Sequence, residues 1–99
     1  MSRIDFTRLR ADLQHRLPDI VRLLLPDGRL VGREWVALNP TRHDRHAGSF
    51  RINIQTGCWA DFATDDRGGD VISLAAYLQG CSQIDAARGL IQMAGLGHA

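Results

Sequence analysis

Residues 49–70, SFRINIQTGCWADFATDDRGGD, constrain the fold more than any other part of the chain. Phe50, Ile52 and Ile54 alternate with Arg51, Asn53 and Gln55, the period of a half-buried strand. Thr56-Gly57 interrupts the run, and residues 58–62, CWADF, resume it. Two short alternating runs about a glycine-bearing turn predict a β-hairpin. The polar stretch Asp65-Asp66-Arg67-Gly68-Gly69 then predicts a loop, and Asp70 an N-cap whose carboxylate accepts from amides of the first helical turn. Hairpin, glycine loop and helix are therefore the frame on which the rest must pack.

Ahead of this frame, apolar residues Phe6, Leu9, Leu13 and Leu17 recur at helical spacing, with arginines between them. Pro18 starts a second helix carrying Ile20, Val21, Leu24 and Leu25, which Pro26-Asp27-Gly28 ends. Residues 33–38, REWVAL, predict a strand, Asn39-Pro40-Thr41 a turn, and 42–48 a charged loop. After the frame, Val71, Leu74, Ala75 and Leu78 line one helix face up to Gly80. Ser82 with Asp85 has the spacing of a capping box for a last helix, in which Ile84, Ala87, Ile91 and Ala94 face inward and Gly95 is the stop. The expected fold is α+β in one domain, 1–99. Helices fill 1–26, a small three-stranded antiparallel sheet 27–64, and a Gly-Gly-Asp loop with two helices 65–96.

Bulk properties limit the function classes. No apolar run approaches the roughly 20 residues of a membrane helix, and the charged N-terminus has no signal-peptide core. The expected location is the cytoplasm, so Cys58 and Cys81 are expected as buried thiols. A net charge of +1 marks neither a strongly basic nucleic-acid grip nor an acidic mimic. All 12 basic residues are arginine, the side chain better suited to phosphate and to stacking.

The order of strand, Asn-Pro turn, charged loop, Gly48-Ser49-Phe50 strand, aromatic strand, Gly68-Gly69-Asp70 and two helices resembles the N-terminal zinc-binding domain of bacterial and phage DNA primases. The resemblance covers roughly residues 18–96, including Gly80-Cys81-Ser82-Gln83 at the last helix start. It implies a zinc-ribbon-like sheet that contacts template DNA. Its metal ligands are mostly replaced: the ligand positions fall on Pro40, His43, Phe62 and Asp65, of which only His43 keeps the family's ligand, and one histidine cannot supply the four ligands of a structural site. The resemblance thus implies a form without zinc or other cofactor, with Phe62 filling the vacated space. His43 and His46 form an H-x-x-H pair that Cys58 and Asp61 could complete as a metal site. Solvated histidines account for the pair more simply, as turns and caps do for Asp61, Asp65, Asp66 and Asp70.

Candidate binding residues are Arg42, Arg45 and Arg51 on one loop and the strand after it, with Arg33 joining from the neighbouring strand. Trp59 is expected on the sheet face of Arg51 and Asn53, where an indole beside arginines stacks single-stranded bases. Covering that face with the N-terminal helices would instead make Trp59 and Trp35 core. Arg67, before a Gly-Gly helix start, adds an anion-favouring position without a phosphate-loop lysine or G-x-G-x-x-G spacing. No nucleophile has a recognisable base partner, so an enzyme is not expected. The expected function is a non-catalytic module of a phage, plasmid or integrative element that binds single-stranded DNA or a replication partner. The alternative is a small mobile-element inhibitor, an anti-CRISPR or other anti-defence protein, acting on a host protein complex.

Overall fold

The structure, a computed structural model, describes residues 3–95. Two helices, α1 (Phe6–Gln14) and α2 (Leu17–Leu24), precede five strands. These are β1 (Arg29–Val31), β2 (Glu34–Ala37), β3 (Phe50–Asn53), β4 (Trp59–Asp61) and β5 (Asp66–Gly68); α3 (Val71–Gln79) and α4 (Gln83–Ala94) follow. The strands form one antiparallel meander in the order β1-β2-β3-β4-β5. The α+β class stands, but the sheet has five strands rather than three.

The two added strands lie at the edges, and each has a local cause. β1 is three residues long, too short to display an alternation, and it turns into β2 through Gly32-Arg33 with Gly32 at φ +63°. β5 (DRG) is polar and glycine-bearing where strands are usually β-branched, and so reads as loop. It forms because the 62–65 turn, with Asp65 at φ 66°, folds the chain back along β4. A short, charged edge of this kind resists pairing with a second chain. β3 stops at Asn53, short of the expected 55, because the Asn53 side-chain oxygen accepts the amides of Gln55 and Thr56.

The expected caps form: Asp70 and Ser82 accept from the amides of Ser73 and Asp85, and Gly80 and Gly95 close α3 and α4 in the left-handed region. Asp5 caps α1 in the same way, accepting from the Arg8 amide. Ile84 departs from its expected inward position and is about half exposed. Both cysteines are exposed and free, correcting the expectation of buried thiols.

All four helices contribute to one core against one sheet face. Leu9, Leu13, Ile20, Val21, Ile72, Leu74 and Leu90 pack with Phe50 and Ile52. Both tryptophans belong to this core, near opposite ends of the sheet. Trp35 donates to the Leu25 carbonyl at the end of α2 (2.8 Å), and Trp59 to Ser73 Oγ of α3 (3.0 Å). Each indole lies against glycine on the adjacent edge: a Cβ on Gly28 would sit 2.2 Å from Trp35 Nε1, and one on Gly68 2.4 Å from Trp59 Nε1. The glycines supply the room that lets each aromatic cover an edge.

Candidate nucleic-acid interface

Strand register sorts the candidates by face. Ile52 pairs with Trp59 and with Trp35, so both tryptophans share the helix-covered face of Phe50 and Ile52. Trp59 is 5 % exposed, with its ring centroid 4.7 Å from that of Tyr77 and 6.2 Å from that of Phe50. The expected placement of Trp59 beside Arg51 and Asn53 is therefore corrected. The hairpin runs through a turn longer than two residues, which pairs β4 in the opposite phase. A helical cover does enclose the indole: Ser73 of α3 accepts its N–H and Tyr77 of α3 packs on its ring.

Arg42 also turns inward. Its Nε donates to Asp61 Oδ2 (2.9 Å), and its Nη2 reaches Asp61 Oδ1 (3.3 Å) and Ser49 Oγ (2.9 Å). Asp61 is fully buried and also accepts from Asn39 Nδ2 (2.8 Å) and the Ala63 amide (2.9 Å). Asn39 continues to Tyr77, which donates to Asp66, while Asp44 accepts the Asn39 amide and lies 3.4 Å from Arg42. Burial pushes the Asp61 carboxyl up, but hydrogen bonds from Arg42, Asn39, Ala63 and Ser49 outweigh it and hold the group well below the usual carboxylate range. The bond to Asp61 in turn raises Arg42 above the ordinary guanidinium value.

This network joins the 39–44 loop to the 61–65 turn, the two segments that the resemblance gives to zinc ligands. The expectation that Phe62 fills that space is corrected: Phe62 is 72 % exposed on the opposite face. A bidentate ion pair with its neutral partners occupies the junction instead. His43 and His46 are exposed, and no group of three His, Cys, Asp or Glu side chains is placed to hold a metal among the described residues.

The other sheet face carries three arginines. Arg29 pairs with Val36, Val36 with Arg51, Arg51 with Ala60, and Ala60 with Arg67. One cross-strand row thus holds an arginine on β1, β3 and β5, about 10 Å apart given the usual strand spacing. Val36 is buried between Arg29 and Arg51, apart from the helix-packed core. Arg51 is steadied by its bonds to the Gly48 carbonyl (2.8 Å) and Glu34 (3.1 Å), and Arg67 lies 3.9 Å from Asp65. Phe62 follows β4 on this side, as its alternation with Trp59 and Asp61 requires. Arg45 is exposed on the 42–48 loop and Arg33 at the β1–β2 turn.

Of the expected residues, the structure brings Arg51 and Arg67 into one row and leaves Arg42 and Trp59 elsewhere. Arg29 and Phe62 are the members that sequence reasoning missed. Arg29 is legible only once β1 is known, whereas the exposure of Phe62 follows from the phase of β4.

No family model and no curated protein matches the chain.

Proposed function

We propose that this chain is a non-catalytic binding module that lays single-stranded DNA across its open sheet face. The observation that carries the reading is the Arg29–Arg51–Arg67 row beside exposed Phe62. Guanidinium forks bind phosphate oxygens bidentately, and an aromatic ring on a sheet accepts a base face whatever its sequence. The motif resemblance to primase zinc-binding domains supports the same partner, with a replication context and a cytoplasmic location.

A second reading has its own observation on the helical side. A groove of about 410 Å³ runs among Leu24, Ala75, Ala86, Leu90 and Met93, and neighbouring Leu23 is 61 % exposed. Apolar surface of this kind suits a protein partner, the class to which an anti-defence inhibitor belongs.

Binding of a labelled single-stranded oligonucleotide over a salt series tests the first reading. Affinity is expected to fall steeply with salt, and each of Arg29→Ala, Arg51→Ala and Arg67→Ala to reduce the logarithmic slope by about 0.7. Binding that ignores both salt and these substitutions would overturn it.

A further inference from the structure

We propose that the open face holds a specific seat for one unstacked nucleobase, between Phe62 and the Glu34–Asn53 pair. This rests on the single-strand reading above and assigns the part of the face that distinguishes a base from a bare phosphate chain. A shallow cleft of about 220 Å³ is lined by Glu34, Arg51, Asn53, Cys58, Ala60 and Phe62, together with Trp59. Its form follows from residue size. Ala60 stands between Cys58 and Phe62 on the same face of β4, so a small side chain leaves a depression flanked by larger ones.

The chemistry of the walls is that of base recognition. Phe62, 72 % exposed and ending the cleft, offers an apolar ring that the fold does not bury. Such a ring is suited to stacking. Glu34 and Asn53 are cross-strand partners, so their side chains stand alongside on this face. The Asn53 oxygen is already used by the Gln55 and Thr56 amides, which leaves its amide nitrogen as the donor for a ligand. Glu34 is held by Arg51 through one oxygen and is an acceptor only. A carboxylate acceptor beside an amide donor matches a base edge that pairs an exocyclic amino group with a ring acceptor, as in cytosine or adenine. Arg51 links the seat to the phosphate row because it belongs to both.

The test compares four probes of equal length on the parent protein: oligo-dC, oligo-dA, oligo-dT and an abasic deoxyribose-phosphate oligomer. Oligo-dC and oligo-dA are expected to bind more tightly than oligo-dT, and all three more tightly than the abasic chain. Phe62→Ala should weaken oligo-dC binding about tenfold while leaving the salt slope unchanged, and Glu34→Gln should erase the preference for dC over dT. Because Phe62 is exposed, its variant should melt with the parent, which separates a binding defect from a folding defect. Abasic binding as tight as oligo-dC, or a Phe62→Ala protein that binds like the parent, would overturn the seat and leave the arginine row standing. Equal binding of dC and dT would overturn the amino-group assignment. A parent that binds none of the four overturns both the seat and the single-strand reading.

Discussion

The two faces of the sheet are built from the same five short strands and obey opposite rules. On one, Trp35, Phe50, Ile52 and Trp59 are buried under helices, and the one carboxylate that joins them, Asp61, is matched by Arg42 and Asn39. On the other, arginines alternate with Val36 and Ala60 across the strands, and a phenylalanine stands in solvent. Residue type alone therefore does not assign a role here. Phe50 and Phe62 are chemically identical, as are Arg42 and Arg51; strand phase separates the first pair, and the buried Asp61 that draws a loop arginine inward separates the second.

The largest expected effect follows from the first pair. Phe50→Ala should cost about 3–5 kcal/mol through lost transfer energy and a cavity, whereas Phe62→Ala should stay within about 0.5 kcal/mol. Chemical denaturation of both variants checks this, and equal losses would break the contrast between faces.

Next comes the buried carboxylate. The carboxyl of Asp61 is lower when folded than when unfolded, so the unfolded chain binds the extra proton in acid. Its stabilising contribution is therefore complete above the ordinary aspartate range near pH 4, and is lost progressively as pH falls below it. Denaturant midpoints from about pH 6 to 3 should drop steeply in the parent. Asp61→Asn should lower stability at pH 6 and flatten that drop. An unchanged acid slope in the variant would show that other carboxylates govern it.

A smaller loss is expected from Gly68→Ala. The added methyl meets the Trp59 ring and Ser73 Oγ at 2.4 Å, and overpacking of this kind costs about 1–3 kcal/mol. Gly69→Ala, whose Cβ meets nothing within 4 Å, is the control and should melt close to the parent.

Much of this architecture was legible in the sequence because it is local. Helix periodicity and the caps Asp70 and Ser82 are set by residues within one turn, and the β3–β4 hairpin by an alternation with a glycine break. The rest depends on contacts that spacing does not encode. β1 and β5 exist by pairing with the inner strands β2 and β4, and Arg29 becomes part of a row only through that pairing. The facing of Trp59 is not legible in the alternation because its register is set by the 54–58 turn, where Asn53 captures two amides. Arg42 reads as surface charge until a buried aspartate 19 residues away is seen to bind it.

Side-chain NMR during a titration with single-stranded oligo-dC shows whether the uncovered sheet face is the binding face. The Nε–Hε signals of Arg29, Arg51 and Arg67 and the ring signals of Phe62 are expected to shift together and saturate at one stoichiometry. Those of Arg42 and of the Trp35 indole should hold nearly still. Shifts confined to Leu23, Leu24 and Met93, with the arginine row unmoved, would put the binding face on the helical side instead.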